Sequence, residues 1–166
     1  MEYTYWLIDH LLAGRVGPVE RPWDIAKLRE AGIEVIVSLN READPAAIRA
    51  AGLRHYERPQ LPSLPLFGPL KDLLLRGIEP VLELIHREVS AGHPTLVHCH
   101  AGKDRTGVVL TAYLVRYLGL EIDEAVARVR AVKPNAMSAP GYEATARLFA
   151  RREQERLLKG RARYRG

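Results

Sequence analysis

The sequence contains a single cysteine, Cys99, among its 166 residues. One cysteine excludes an intramolecular disulfide framework and any metal site that needs two thiolates. No apolar run is long enough to span a bilayer, and the first residues lack the basic segment that precedes the apolar core of a signal peptide. We therefore expect a monomeric cytoplasmic protein with a free thiol and no transmembrane segment.

Acidic residues are outnumbered by basic ones mainly at the C-terminus, and this segment accounts for the whole net charge of +5. Residues 147–166 contain eight arginines and lysines against two glutamates, and residues 1–146 carry a net charge of about −1. The body of the protein therefore lacks the basic character of a nucleic-acid-binding domain. We predict one domain over residues 1–158 and a basic tail over residues 159–166.

Predicted strands and helices alternate along the chain. β-Branched and aromatic runs predict strands at residues 3–8, 11–14, 33–40, 53–57 and 94–99. Apolar periodicity and capping residues predict helices at residues 21–32, 45–52, 78–92, 106–119, 121–134 and 139–160. The proline-rich segment 58–70 is predicted to be a loop. This alternation indicates an α/β domain with a mainly parallel central sheet of four or five strands flanked by helices.

The segment HCHAGKDRT, residues 98–106, connects a predicted buried strand to a predicted buried helix. Backbone N–H groups in such a loop can point at one spot, and the helix N-terminus adds partial positive charge there. Gly102 permits a tight turn, and Arg105 offers a planar guanidinium that can bind two phosphate oxygens. The segment therefore predicts a site for a phosphate or sulfate ion.

Cys99 stands at the mouth of this predicted anion site. A lone cysteine at a strand end is most often an inert small apolar residue. Helix N-termini and cationic neighbours, however, favour the thiolate form of a cysteine. The residues around Cys99 therefore favour a nucleophile that lies beside its phosphate electrophile.

The same segment fits the signature His-Cys-x-x-Gly-x-x-Arg-Ser/Thr, and the chain resembles the cysteine-dependent protein tyrosine phosphatases. Its small size is similar to that of the dual-specificity branch, and the resemblance extends over most of residues 5–150. The resemblance implies a phosphate-binding loop between a central strand and a helix. It also implies a protein tyrosine or dual-specificity phosphatase that needs no metal and no cofactor.

The resemblance further implies roles for individual residues. Cys99 would attack phosphorus to form a phosphocysteine, Arg105 would stabilise the equatorial oxygens, and Thr106 would donate a hydrogen bond to the departing sulfur. His98 would orient the loop, although a histidine at a strand end is often only a hydrogen-bonded core residue. The substrate-binding residues implied by the resemblance are His98, His100, Ala101, Gly102, Lys103, Asp104 and Arg105.

Two aspartates are candidates for the general acid that protonates the leaving group. Asp72 follows the proline-rich segment and precedes a predicted helix, as the acid of the family does, and it is the first choice. Asp104 lies inside the loop, where the lipid-directed myotubularin branch carries its acid, and it is the alternative. The neutral interpretations are a solvated helix-cap carboxylate for Asp72 and an ion pair with Lys103 for Asp104.

The substrate class is less constrained than the mechanism. Phosphotyrosine, in a protein or as a small aryl phosphate, is the first expectation. Lys103 and His100 would add positive charge at the rim of the loop, as in phosphoinositide phosphatases, although a surface lysine is usually only a solvated charge. An RNA 5′-phosphate-directed enzyme that uses the basic tail and a non-catalytic phosphate-binding module are the remaining alternatives.

Overall fold

The computed structural model describes residues 2–60 and 68–163. These residues form a five-stranded sheet in the order β1-β2-β5-β3-β4. The strands are β1 Thr4–Ile8, β2 Leu12–Arg15, β3 Val35–Ser38, β4 Arg54–Glu57 and β5 Thr95–His98. β1 is antiparallel to β2, and the other neighbouring pairs are parallel. The predicted α/β class and mainly parallel sheet are confirmed.

Strand β5 lies at the centre of the sheet, and every one of its residues is buried. At its carboxyl end His98 is opposite Arg15 of β2 and Ser38 of β3. Because β2, β3 and β5 are parallel, the segments that follow these strands emerge at the same edge. The sheet therefore brings three loops together around the residue that follows His98, which is Cys99.

Six helices lie within the described residues: α1 Ile25–Glu30, α2 Pro45–Ala50, α3 Gly68–Ser90, α4 Arg105–Leu118, α5 Ile122–Val132 and α6 Tyr142–Arg163. Residues 106–114 of α4 are all buried, and this helix packs against β5, α3, α5 and α6. Helices α1 and α2 cover the smaller apolar cluster around Ile36 and Leu96. None of the helices in the described ranges is long and apolar enough to cross a membrane.

Helix α3 begins at Gly68, well before its predicted start, so the end of the predicted loop 58–70 is helical. Leu74 and Leu75 are buried and extend the apolar face of the helix toward its N-terminus. Pro80 lies inside the helix, where proline normally interrupts the hydrogen-bond pattern. Burial of the apolar face therefore outweighs the low intrinsic helix propensity that led to the wrong prediction.

Helix α6 continues to Arg163, through most of the predicted tail 159–166. No break in the helix accompanies the predicted domain boundary at residue 158, because arginine, leucine and lysine are all good helix formers. From residue 154 to residue 160 every residue is exposed, so this end of the helix extends beyond the core. Residues 61–67 of the predicted loop and 164–166 of the predicted tail lie outside the described residues.

Candidate functional site

The site is built around the loop that joins β5 to α4, residues 99–104. Cys99 follows the central strand directly and is only 2% exposed, within the main apolar cluster. Gly102 has φ +62°, and a Cβ there would lie 2.3 Å from the carbonyl oxygen of Arg15. Only glycine fits both that backbone conformation and that close approach. The predicted loop between a central strand and a buried helix is therefore present, with Cys99 at its base.

The carbonyl groups of this loop accept hydrogen bonds from surrounding elements. The N–H of Gly17, after β2, donates to the oxygen of His100 at 2.7 Å, and the N–H of Met137, after α5, donates to that of Lys103 at 3.0 Å. The hydroxyl of Tyr5, on β1, donates to the oxygen of Gly102 at 2.5 Å. Three separate elements thus hold the carbonyl oxygens of three loop residues.

The amide groups of the same loop are free. From His100 to Arg105, no backbone N–H donates a hydrogen bond to any other described residue. A buried or half-buried N–H without a partner costs free energy, and successive N–H groups in a tight loop form a concave anion site. Bound carbonyls and free amides together indicate a loop that is preorganised for an anion.

Arg105 is the first residue of helix α4, and its guanidinium makes only one weak contact with the described residues. Its Nη1 lies 3.5 Å from the carbonyl oxygen of Leu39, at the edge of hydrogen-bond distance. No carboxylate of residues 2–60 or 72–160 forms an ion pair with it. Its charge and most of its donors are therefore available to an anion in the loop.

Thr106 is completely buried in the first turn of α4. Its Oγ1 has no hydrogen-bond partner among the described residues. Buried hydroxyl groups normally have a partner, and one that has none is a candidate for a transient functional bond. The geometry leaves this hydroxyl free for the bond to the departing sulfur that the sequence resemblance implies.

His98 lies in a buried chain of hydrogen bonds beneath the loop. Its Nδ1 donates to the carbonyl oxygen of Cys99 at 3.2 Å, so its neutral ring accepts at Nε2 from Ser38 Oγ at 2.6 Å. The Ser38 oxygen then accepts from His55 Nε2 at 2.8 Å. Burial lowers the pKa of His98 to about 4, and it lowers the pKa of His55 as well. Both rings are therefore neutral near pH 7.

His98, which the resemblance places among the substrate-binding residues, has zero exposure. Its ring packs edge-on against Trp23, with the ring centres 4.5 Å apart, and does not reach the surface. His98 contacts the loop through the Cys99 carbonyl, and its ring has no exposed surface. Its position fits the hydrogen-bonded core residue that the sequence left as the alternative.

Lys103 and Asp104 are paired with each other, as the neutral interpretation of Asp104 had it. Lys103 Nζ donates to Asp104 Oδ2 at 2.6 Å and to Ser138 Oγ at 3.0 Å. The other oxygen of Asp104 accepts from the N–H of Ala139 at 3.2 Å. Both side chains therefore attach the loop to the segment after α5, and the lysine charge is matched by a carboxylate.

His100, the second predicted cation at the rim, is also next to carboxylates. Its Nδ1 lies 2.9 Å from Glu42 Oε1, and its Nε2 lies 3.7 Å from Glu20 Oε2. Both basic side chains that the sequence predicts at the rim therefore lie beside carboxylates of the described residues.

Asp72 lies near the start of α3 and is about half exposed. One of its oxygens, Oδ1, forms an ion pair with Arg152 of α6, and its other oxygen has no partner among the described residues. Asp72 is thus inside the helix rather than before it. No hydrogen bond or ion pair within the described ranges connects it to the loop around Cys99.

The sequence does not predict three residues that support the loop: Tyr5, Gly17 and Met137. A Cβ on Gly17 would lie 2.4 Å from the carbonyl oxygen of Cys99, so only glycine allows this backbone to approach the loop. Met137 adopts φ +56°, which is unusual for a residue with a side chain. These residues are far from the loop in sequence, and no local pattern marks them.

Comparison with known proteins supports the resemblance seen in the loop. The sequence model of the family described as dual specificity phosphatase, catalytic domain, matches residues 20–152. Human dual specificity phosphatase 28 is 32% identical over 117 residues, which make up 70% of this chain and 61% of that protein. The phosphatidylglycerophosphate phosphatase PTPMT1 of Arabidopsis thaliana is 28% identical over 143 residues, 83% of this chain and 40% of that protein.

The fold agrees with this comparison. The crystal structure of human DUSP28 superposes with a TM-score of 0.74 at 23% sequence identity, covering 93% of this chain and 97% of that chain. The chain spans less than two thirds of the length of the two curated relatives. The family match covers most of the chain and includes the loop around Cys99, and the protein therefore belongs to the dual specificity phosphatase catalytic-domain family.

Proposed function

We propose that the protein hydrolyses phosphomonoesters, with phosphotyrosine and related aryl phosphates as its first substrate class, through a phosphocysteine intermediate on Cys99. The observation that carries this proposal is the loop from His100 to Arg105: its amides have no partner among the described residues, and other elements hold three of its carbonyls. A phosphate bound to those amides lies over the residue at the base of the loop, which is Cys99.

In the first step the Cys99 sulfur attacks phosphorus, and the bond between phosphorus and the leaving oxygen breaks. The loop amides and the Arg105 guanidinium bind the three equatorial oxygens, whose negative charge is redistributed in the transition state. The leaving oxygen takes a proton from the general acid. In the second step water attacks the phosphocysteine, inorganic phosphate leaves, and Thr106 donates a hydrogen bond to the departing sulfur.

We assign the general acid to Asp72 rather than to Asp104. Both oxygens of Asp104 already accept hydrogen bonds, from Lys103 and from the N–H of Ala139. It would have to break one of these bonds to protonate a leaving group. Asp72 has one oxygen without a partner among the described residues, and its side chain is about half exposed.

The two acids can be separated by the pH dependence of kcat. With phenyl phosphate, whose leaving group is poor, we expect Asp72→Asn to lower kcat by about 10²-fold or more and to remove the decline of kcat at high pH. Asp104→Asn is the matched control and should keep that decline. If the decline persists in Asp72→Asn and disappears in Asp104→Asn, the assignment must be exchanged.

A lipid phosphate is the second candidate substrate, and it is favoured by the similarity to the Arabidopsis phosphatidylglycerophosphate phosphatase. The position of Lys103 beside Asp104, and of His100 beside Glu42, argues against a strong preference for a polyanionic head group. We therefore rank aryl phosphates first.

Turnover of four substrates at equal concentration tests this ranking: a phosphotyrosine peptide, a phosphoinositide, phosphatidylglycerophosphate and a 5′-triphosphorylated RNA. We expect the peptide to have the highest kcat/KM. A higher value for either lipid would establish the second candidate, and a higher value for the RNA would establish the nucleic-acid alternative. No turnover of any substrate, with phosphate still bound, would identify a non-catalytic binding module.

A further inference from the structure

We propose that Tyr5 is a positioning residue of the phosphate-binding loop: by holding the Gly102 carbonyl, its hydroxyl directs the Lys103 amide toward the bound phosphate. This inference rests on the proposed function, because it assigns a role within the same loop. Tyr5 does not touch the substrate in this proposal, and it acts through the peptide group between Gly102 and Lys103.

The hydrogen bond between Tyr5 and Gly102 is short and joins residues that are distant in sequence. Tyr5 Oη donates to the oxygen of Gly102 at 2.5 Å, and 97 positions separate the two residues. Burial raises the pKa of Tyr5 well above its usual range, and the nearby Cys99 raises it further. The hydroxyl therefore stays protonated and remains a donor at any pH at which the protein would work.

Strand β2 is built to admit this tyrosine. Tyr5 is paired with Gly14 in the register of β1 and β2. A Cβ on Gly14 would lie 2.2 Å from Cζ of the tyrosine ring and 2.3 Å from its hydroxyl oxygen. Glycine at this strand position costs conformational entropy and packs no side chain. Here it leaves room for the ring to pass over β2 and reach the loop.

Because a peptide group is planar, the contact between Tyr5 and the Gly102 carbonyl also fixes the direction of the next N–H, that of Lys103. The described chain has no cis peptide bonds, and in a trans peptide the C=O and the following N–H point in opposite directions. Tyr5 holds the carbonyl of Gly102 on the outside of the loop. The N–H of Lys103 must then point the other way, toward the position of the anion, and it has no partner among the described residues.

The Tyr5 contact also differs in kind from the other contacts of the loop. The carbonyls of His100 and Lys103 are held by backbone N–H groups, those of Gly17 and Met137, which no substitution except proline removes. The carbonyl of Gly102 is held by a side chain. A single substitution can therefore release this peptide group and leave the rest of the loop in place.

Tyr5→Phe removes the hydroxyl and keeps the ring. A hydrogen bond of this kind contributes about 1 kcal/mol, so we expect kcat/KM for an aryl phosphate to fall about five- to tenfold. We expect the dissociation constant of inorganic phosphate, measured by calorimetry, to rise about threefold or more, because the same amide binds it. A merely structural role would lower Tm and leave both quantities unchanged.

Tyr56→Phe is the matched control. Its hydroxyl donates to Glu88 Oε1 at 3.0 Å on the side of β4, away from the loop, so we expect a change in Tm without a change in kcat/KM or phosphate affinity. Gly14→Ala approaches the same contact from the other side, since its methyl group would displace the Tyr5 ring. We expect Gly14→Ala to weaken phosphate binding in the same direction as Tyr5→Phe.

Normal phosphate affinity and normal kcat/KM in a folded Tyr5→Phe variant would overturn the inference. If the wild-type protein binds inorganic phosphate but hydrolyses no substrate, the proposed function fails. The role of Tyr5 is then still decided by the phosphate affinities of Tyr5→Phe and Tyr56→Phe. The two proposals therefore fail under different results.

Discussion

Replacing Cys99 by serine is expected to reduce phosphatase activity by at least about 10³-fold, because removing a covalent nucleophile leaves only the binding part of catalysis. Inorganic phosphate should still bind to Cys99→Ser, because the loop amides and Arg105 do not depend on the thiol. The variant should also fold normally, since serine is slightly smaller than cysteine and the site is preformed. Turnover of an aryl phosphate, phosphate calorimetry and Tm are the three measurements.

The presence of only one cysteine makes a sharper test possible. Under mild conditions, at which iodoacetate reacts with thiols in preference to other side chains, labelling of the protein reports on Cys99. We expect one carboxymethyl group per chain in the wild-type protein, protection by inorganic phosphate, and loss of activity in proportion to labelling. Cys99→Ser should not be labelled. Full activity in Cys99→Ser, or in wild-type protein that is completely alkylated, would exclude the phosphocysteine mechanism.

The loop and its surroundings differ in how far the sequence predicts them. Cys99, Gly102 and Arg105 lie within one short segment, and the strand before it and the helix after it have strong apolar patterns. A site contained in one segment can be predicted from a local sequence pattern, because the backbone itself limits the distances between its residues. The mainly parallel sheet around this segment follows from the same alternation of strands and helices.

The contacts that hold the loop in place are non-local, and the sequence does not predict them. Tyr5 reaches Gly102 only because β1 lies at the edge of the sheet beside a strand that carries Gly14. The ion pair of the neighbours Lys103 and Asp104 is among the sequence interpretations, but their contacts with Ser138 and Ala139 are not, because the segment after α5 has no recognisable motif. The sequence therefore identifies these ionisable side chains but not the groups that they contact.

The position of Asp72 shows a different limit of prediction from sequence, which concerns where a helix begins. The sequence places it just before a helix, by analogy with a loop that carries the acid in related phosphatases, whereas the structure places it inside α3 with Arg152 as its partner. The start of a helix depends on which apolar residues find a surface to pack on, and Leu74 and Leu75 find one against the core. Local propensity carries no information about that surface.

Arg105→Lys is expected to lower kcat by about 10²- to 10³-fold although it keeps the positive charge. An ammonium group cannot bind two phosphate oxygens in one plane, and it is more strongly hydrated than a guanidinium. The loss should be larger in kcat than in phosphate affinity, because the planar fork is complementary to the equatorial oxygens of the transition state. Steady-state kinetics with an aryl phosphate and calorimetry with inorganic phosphate separate the two quantities.

The stability of this variant decides how the kinetic result is interpreted. The only described polar contact of the Arg105 side chain is the long one to the Leu39 carbonyl, so its replacement should change Tm by no more than that of Arg151→Lys, an exposed control on α6. A large loss of kcat with an unchanged Tm then assigns Arg105 to the transition state. If Arg105→Lys keeps kcat within about threefold of wild type, a positive charge alone is sufficient, and the role assigned here to the planar guanidinium is wrong.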